Sequence, residues 1–286
     1  MAVAISELYF ARFHFLFWAY LPTAGAGNVY CVIKGLQTHY FIQGQGDYVF
    51  LLHGWGADAT LFRHIADIIA KQYTVVAFDF PGFGQTTEPE QAWSVSDYTD
   101  FTIEFIRSFP CKNVILLGHS FGGRVIIKMA NEKNLPFTID KIVLVDSAGI
   151  LPRRSLCYKI RIGAYKTGKV ILNIPGIRNL FPRAMAAFKN RMGSADYSRA
   201  SDVMRQCLVK TVNEDLTPLL KTIFVPTLLI WGENDTATPL ADGQMMEKQI
   251  NGSGLVVLKG AGHYSFLDQP VIFSRVIHSF LDMGDI

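Results

Sequence analysis

The sequence predicts an α/β protein whose mainly parallel sheet is covered by helices on both faces. Short runs of Val, Ile, Leu and Phe recur without polar alternation, which is typical of strands buried on both sides. Segments with helical spacing separate these runs, and that order favours a parallel sheet. The 286 residues, half of them apolar and 18% charged, suffice for one large core with an inserted unit.

The predicted elements follow in chain order. Two leading strands at 29–34 and 36–43 meet near Gly35 and are expected to form an antiparallel edge. Apolar strands are predicted at 49–53, 75–78, 114–118, 142–145, 227–231 and 255–258. Helices are predicted at 61–71, 94–109, 121–131, 244–250 and 271–281 from apolar residues at helical spacing. Sites in such sheets lie beyond the carboxyl ends of the strands, so the loops that follow the strands hold the candidates.

A candidate nucleophile lies between the 114–118 strand and the helix that follows it. There Ser120 is flanked by Gly118 and Gly122 in a Gly-x-Ser-x-Gly pattern, the signature of a nucleophile elbow. The turn is so tight that its flanks must lack side chains. The start of the helix brings backbone N–H groups and a positive dipole end to the serine.

A serine hydroxyl needs an adjacent base, and His263 is the candidate among seven histidines. It lies in a glycine-rich loop directly after the last strand, at the same sheet edge. His119 is next to the nucleophile, but consecutive elbow residues point apart. His53 ends a strand and is expected to hold the following loop by hydrogen bonds. The remaining histidines lie in the N-terminal segment, a strand or helices (His14, His39, His64, His278).

An imidazole base needs a carboxylate to fix its tautomer, and Asp235 follows the preceding strand. The order Ser120, Asp235, His263 is the chain order expected for a triad on this kind of sheet. Asp146, directly after an intermediate strand, is a rival acid. Glu233 is a second rival, read as a carboxylate that braces the loop.

Two N–H donors are needed for the oxyanion of a tetrahedral intermediate. One is expected from the backbone of Phe121, next to the nucleophile. The other is expected from Trp55, in the loop after the 49–53 strand. Gly54 and Gly56 let that loop fold close to the site.

Together these motifs resemble the α/β-hydrolase superfamily over residues 29–281. The segments that carry the resemblance are His53-Gly54-Trp55-Gly56-Ala57-Asp58, Asp79-x-Pro81-Gly82-x-Gly84, Gly118-His119-Ser120-Phe121-Gly122-Gly123, the Asp235 loop and Gly262-His263. The resemblance implies an eight-stranded core, a cap after the sixth strand, and a Ser–His–Asp triad that needs neither metal nor organic cofactor. The chain is also similar to the esterase and carbon–carbon-bond (meta-cleavage product) hydrolase branches. The serine nucleophile departs from haloalkane dehalogenases and epoxide hydrolases.

Residues 151–217 break the alternation and predict a helical cap over the carboxyl edge of a core formed by 28–150 and 218–286. Between residues 151 and 191 there are ten Lys or Arg residues and no acidic residue. The rest of the chain then carries 17 basic and 24 acidic residues, although the net charge is only +3. This small net charge does not indicate nucleic acid. The basic cap fits a solvated face, steering of an anionic acyl substrate, or contact with an anionic membrane.

Residues 1–27 form an aromatic N-terminal extension with three interpretations. The first interpretation is a helix that docks on the domain or lies in a membrane interface. The second is a signal peptide, and the third is a membrane span. The corresponding locations are cytoplasmic with or without membrane association, or exported. The four cysteines have no metal-type spacing and are expected to be reduced core residues.

The leading functional hypothesis is a serine hydrolase that cleaves an ester through an acyl-enzyme at Ser120, His263 and Asp235. Thioester, amide and ketonic carbon–carbon bonds are further options within that chemistry. The same triad also fits an acyltransferase or a perhydrolase. A hydrolase-fold protein that binds a ligand without catalysis is the non-enzymatic alternative.

Overall fold

A computed structural model describes residues 27–151 and 200–284 of the chain. One eight-stranded sheet with strand order β1-β2-β4-β3-β5-β6-β7-β8 organises them. The strands are β1 (Gly27–Ile33), β2 (Leu36–Gln43), β3 (Tyr48–Leu52), β4 (Thr74–Phe78), β5 (Asn113–His119), β6 (Thr138–Val145), β7 (Thr227–Gly232) and β8 (Gly254–Leu258). The predicted antiparallel edge is confirmed, since β2 pairs antiparallel with both β1 and β4, while β3 to β8 run parallel.

Helices cover both faces of the sheet, as predicted. They are α1 (Arg63–Ile69), α2 (Val95–Arg107), α3 (Phe121–Met129), α4 (Asp202–Val212), α5 (Leu240–Gln249), α6 (Ser265–Asp268) and α7 (Pro270–Phe280). Two short 3-10 helices, Ala59–Phe62 and Thr217–Thr222, accompany them. A capping box starts α2, in which Ser94 and Asp97 satisfy each other's backbone N–H groups.

The core has two layers because successive strand residues point to opposite faces of the sheet. In β3, Phe50 and Leu52 join the layer under α2, α3 and α5, whereas Val49 and Leu51 join the layer under α1, α6 and α7. All four side chains are fully buried. Burial on both faces explains the unbroken apolar runs in the sequence.

Several element boundaries differ from the prediction. The predicted 61–71 helix is a 3-10 turn capped by Asp58, followed by α1. Strand β6 starts at Thr138 and not at the predicted residue 142, because polar Asp140 interrupts the apolar pattern in its first half. The Asp140 carboxylate accepts hydrogen bonds from the Asn113 side chain in β5. Helix α5 starts at Leu240, before the predicted 244–250, because its first turn packs through Gly243 on Trp231.

The predicted cap lies mainly outside the described residues, which include only its final part. There α4 docks on the loop between β4 and α2. Met204 lies against Gly82, and the Trp93 backbone N–H lies 3.1 Å from the Cys207 sulfur. The chain then returns to the core, where the Leu216 N–H donates to the Gly149 carbonyl. The guanidinium group of buried Arg124 donates to the Glu214 carbonyl. The predicted N-terminal extension lies almost entirely outside the described residues.

Candidate active site

Ser120 occupies a strained backbone turn between β5 and α3. Its φ of 50° and ψ of −109° lie outside the conformations that side chains favour. The two flanking glycines make the turn possible. A Cβ on Gly122 would lie 2.1 Å from the Leu52 carbonyl oxygen, and one on Gly118 would lie 2.7 Å from the Gly122 backbone. The elbow that the pentapeptide predicts is therefore present, with α3 pressed against β3.

The structure brings the three predicted triad residues together at the carboxyl edge of the sheet. The Ser120 Oγ lies 3.0 Å from His263 Nε2, and His263 Nδ1 lies 2.8 Å from Asp235 Oδ2. The three side chains come from the loops after β5, β7 and β8, which run parallel and end at one edge. This arrangement can transfer a proton from the hydroxyl to a base that a carboxylate orients.

Thr238 and the backbone around it hold the Asp235 carboxylate in place. Its Oδ1 accepts the backbone N–H groups of Ala237 and Thr238, and the Thr238 hydroxyl lies 2.7 Å from Oδ2. Burial disfavours the charge, but the hydrogen bonds from His263 and Thr238 outweigh it and lower the pKa of Asp235. Asp235 is thus ionised at neutral pH and directed at the imidazole.

Asp146, the rival acid, has a different set of partners. Its Oδ1 accepts the Gly232 N–H at 2.7 Å and its Oδ2 accepts the Ser265 N–H at 3.0 Å. The carboxyl group is fully buried, and this burial raises the pKa of Asp146 to about 6. Asp146 therefore joins the loops that carry Asp235 and His263, and it makes no hydrogen bond to the imidazole in the described part of the chain. Glu233 braces its loop as expected, by accepting the Gly260 N–H.

The candidate oxyanion loop after β3 is fixed by His53, as predicted. The His53 Nδ1–H donates to the Gly54 carbonyl and its Nε2 accepts the Phe80 N–H. Burial lowers the pKa of His53, so the ring stays neutral in this role. Gly54 approaches the nucleophile so closely that a Cβ there would lie 3.3 Å from the Ser120 Cβ.

Both predicted oxyanion donors belong to residues that pack against each other beside Ser120. The Trp55 ring contacts the Phe121 ring edge to face, with centroids 5.3 Å apart. Trp55 follows Gly54, and Phe121 is the first residue of α3, where backbone N–H groups have no partner within the helix. The ring centroids of Phe83 and Trp55 lie 4.8 Å apart, so aromatic side chains line this side of the site.

The other histidines lie elsewhere or have other roles. His39 pairs with Asp79 at 2.8 Å, and Asp79 also accepts the Ala59 and Gln85 N–H groups, which joins β2 to the loops after β3 and β4. The His119 Nε2 lies within hydrogen-bond distance of the His263 backbone carbonyl. His64 and His278 lie on α1 and α7. His14 is outside the described residues.

Sequence reasoning missed Thr238 and the actual position of His119. Thr238 lies three residues after Asp235, in a loop whose only sequence signal is a cluster of small polar residues. The sequence indicates His119 only as a candidate base, whereas its Nε2 meets the His263 carbonyl and its ring packs near Gly54 and the Tyr264 ring. Across residues 27–151 and 200–284, no cluster of His, Cys, Asp and Glu side chains has the arrangement of a metal site.

A family model described as the alpha/beta hydrolase family matches residues 49–276 of the 286. The chain belongs to the alpha/beta hydrolase family. The resemblance inferred from the motifs is thereby confirmed, and so is the predicted fold.

Individual relatives of this alpha/beta hydrolase include enzymes with different substrates. The 2-hydroxy-6-oxo-6-(2'-aminophenyl)hexa-2,4-dienoic acid hydrolase of Metapseudomonas resinovorans is 25% identical, over 86% of this chain and 88% of that protein. Among solved structures, a membrane phospholipase A is similar with a TM-score of 0.69 at 23% identity, over 98% of this chain and 94% of that one. An esterase from Exiguobacterium antarcticum has a TM-score of 0.70 at 23% identity, over 90% of this chain and all of that one.

Proposed function

We propose that this alpha/beta hydrolase is a serine hydrolase that cleaves an ester bond through an acyl-enzyme. The observation that carries the proposal is the continuous hydrogen-bonded chain from Ser120 Oγ through His263 to Asp235. A serine in a strained elbow, hydrogen-bonded to an imidazole that a buried carboxylate orients, is the arrangement that activates a hydroxyl for attack.

In the first half of the proposed reaction, Ser120 attacks the ester carbonyl. His263 Nε2 takes the hydroxyl proton and returns it to the leaving alcohol, and Asp235 stabilises the imidazolium that forms between the two transfers. The ester bond breaks, and the acyl group stays on the Ser120 oxygen. In the second half, His263 takes a proton from a water molecule as the water oxygen attacks the acyl carbon. The bond between the acyl carbon and the Ser120 oxygen then breaks, His263 returns the proton to that oxygen, and the acid leaves.

The negative charge on the carbonyl oxygen is assigned to the backbone N–H groups of Phe121 and Trp55. The close approach of Gly54 to Ser120 and the contact between the Trp55 and Phe121 rings support this assignment. The start of α3 adds its dipole at the same place. Each such donor contributes about 3 kcal/mol to transition-state stabilisation in enzymes of this kind.

Hydrolysis of a carbon–carbon bond next to a ketone is the second candidate. The relative from Metapseudomonas resinovorans supports it, since it acts on an oxo-dienoic acid according to its name. The same nucleophile and base serve either bond, so the triad geometry does not separate the two. The residues that distinguish substrates are expected in the cap, most of which is outside the described residues.

A panel of p-nitrophenyl esters of increasing acyl length tests the proposal. The wild-type protein should release nitrophenol, and Ser120→Ala should lower kcat by about six orders of magnitude. Ser279→Ala, which alters an exposed serine on α7, serves as the matched control and should leave the rate unchanged.

Product analysis separates the remaining chemistries in the same assay. Methyl ester formation in the presence of methanol would indicate acyl transfer, and turnover of a 2-hydroxy-6-oxo-dienoate with no ester turnover would favour the second candidate. Equal ester hydrolysis by wild type and Ser120→Ala would contradict the proposal.

A further inference from the structure

His119 connects the two loops on which the proposed reaction depends. It is the last residue of β5, and its ring is almost fully buried, with 1% exposed. Its Nε2 lies 2.7 Å from the backbone carbonyl oxygen of His263. On the other side of the ring, a Cβ on Gly54 would lie 2.8 Å from Nδ1, so this nitrogen rests against the candidate oxyanion loop.

These contacts fix the protonation of the ring. A carbonyl oxygen only accepts, so Nε2 carries a hydrogen and donates it to His263. The buried Nδ1 has no hydrogen-bond partner among the described residues. A proton on Nδ1 would be directed at the Gly54 methylene and would leave a buried charge unpaired. The ring is therefore neutral, in the tautomer with hydrogen on Nε2.

The surroundings of His119 reinforce the neutral state. Its ring centroid lies 4.9 Å from that of His263, 5.0 Å from Tyr264 and 5.2 Å from Phe266. The titratable groups that act on it are His263, Asp235 and His53, together with the adjacent phenol of Tyr264. Burial first and the neighbouring His263 second lower the pKa of His119 to about 3.

The loop that carries His263 needs such support. It contains Gly260 at φ 74° and Gly262, and glycines leave a loop free to move. Glu233, Asp268 and Asp146 anchor its flanks by accepting the N–H groups of Gly260, Gly262 and Ser265. The His119 hydrogen bond holds the residue between these flanks whose side chain meets Ser120.

We propose that His119 is a positioning residue for the base: its Nε2–H holds the main chain of His263 while its unprotonated Nδ1 packs against Gly54. The inference rests on the proposed function, because it assigns His263 the transfer of a proton. A neutral ring next to His263 does not repel the imidazolium that forms during the reaction. The His119 side chain thus fixes the position of His263 relative to the candidate oxyanion loop.

A matched pair of variants tests the positioning role. His119→Gln places an amide N–H donor at the same chain length as Nε2, and His119→Met has the same length without a donor. We expect His119→Met to lower kcat for a p-nitrophenyl ester by about 100-fold with little change in KM, as small misplacements of a reacting group do. His119→Gln should recover most of that loss.

Equal kcat values for the two variants would overturn the inference, because the hydrogen bond would then not matter. A change confined to KM would also overturn it. If the wild-type protein neither hydrolyses esters nor reacts with a serine-directed probe, the proposed function has failed and the inference falls with it. Wild-type activity together with equal variants overturns the inference alone.

Circular dichroism shows whether both variants fold. If His119→Met does not fold, nitrogen NMR of the wild-type protein labelled at histidine gives the answer, with His119→Gln used for assignment. The His119 ring should carry its hydrogen on Nε2 and should not titrate between about pH 5 and pH 8. A hydrogen on Nδ1, or titration in that range, would overturn the inference.

Discussion

Asp235 and Asp146 are both buried at the same edge of the sheet, and their hydrogen-bond partners distinguish them. Asp235 Oδ2 faces the imidazole of His263, whereas both oxygens of Asp146 accept backbone N–H groups. The sequence places both residues directly after strands or in the next loop, and it cannot show which carboxylate turns toward the base. That choice depends on long-range contacts, because Asp146 bonds the N–H groups of Gly232 and Ser265, which lie 86 and 119 residues away in the chain.

Replacement of the two aspartates separates their roles. Asp235→Asn should lower kcat by about four orders of magnitude with the fold intact, because an amide no longer fixes the imidazole tautomer. Asp146→Asn should lower the free energy of unfolding by about 1–3 kcal/mol, since an amide accepts only one of the two N–H groups. Ester kinetics and denaturant unfolding of both variants measure these effects. A larger kcat loss in a stable Asp146→Asn variant would make Asp146 the acid.

The protonation of His119 also predicts a pH dependence of stability. Its pKa is about 3 in the folded protein against an ordinary 6.5, so the unfolded chain binds more protons between these values. The neutral His119 ring contributes fully to the free energy of unfolding above pH 6.5, and this contribution is lost as the pH falls toward 3. From neutral pH to pH 5, the stability difference between wild type and His119→Gln should shift by about 2 kcal/mol against wild type.

Urea unfolding at the two pH values measures that shift. The comparison with His119→Gln cancels the other buried groups, which include His53 and Asp146. A difference that does not change with pH would mean that His119 titrates alike in the folded and unfolded states.

At the scale of elements, the sequence predicts the strands best because they are short, apolar and buried on both faces. The residues that start β7 and end β8 agree with the prediction. The predicted boundaries are wrong where packing, and not apolar spacing, fixes the end of a helix, as at the start of α5. Elements of a single turn are not predicted at all. Helix α6 is such a turn: Ser265–Asp268 follows the His263 loop, and no apolar repeat fits within four residues.

The elbow provides a prediction about how closely two elements approach. Gly122→Ala should prevent folding or destabilise the protein by several kcal/mol, because its Cβ would overlap the Leu52 carbonyl of β3. Gly254→Ala, at the start of β8, has no atom within 4 Å of its added Cβ and is the matched control. Thermal unfolding of the two variants measures the effect. Equal melting temperatures would contradict the packing of α3 on β3.

At the scale of the whole molecule, the sequence alone predicts a parallel sheet but not its strand order. The pairing of β3 with both β4 and β5 depends on long-range contacts that periodicity does not show. The resemblance of the motifs implies only the number of strands, eight, which the structure confirms. It does not identify the substrate, because the residues expected to set specificity lie in the predicted cap.

The charge distribution supports a further proposal about the molecule as a whole. We propose that the basic 151–191 region and the aromatic N-terminal extension contact anionic membranes, since stable attachment needs two signals. None of the helices within the described ranges has both the length and the apolar character needed to cross a bilayer.

Vesicle sedimentation tests this contact with the full chain. Vesicles that contain phosphatidylserine should bind the protein at low salt and release it at high salt, because salt screens the attraction. Vesicles of phosphatidylcholine alone are the control and should bind less. No binding to the anionic vesicles at low salt would show that the basic region serves another purpose, such as the steering of an anionic substrate.

Mass spectrometry after reaction with a fluorophosphonate tests whether Ser120 is a nucleophile activated by His263 and Asp235. We expect one adduct per wild-type chain, located on the peptide that contains Ser120, and no adduct in Ser120→Ala. A wild-type protein that forms no adduct, or a Ser120→Ala variant that is still labelled, would contradict this role of Ser120.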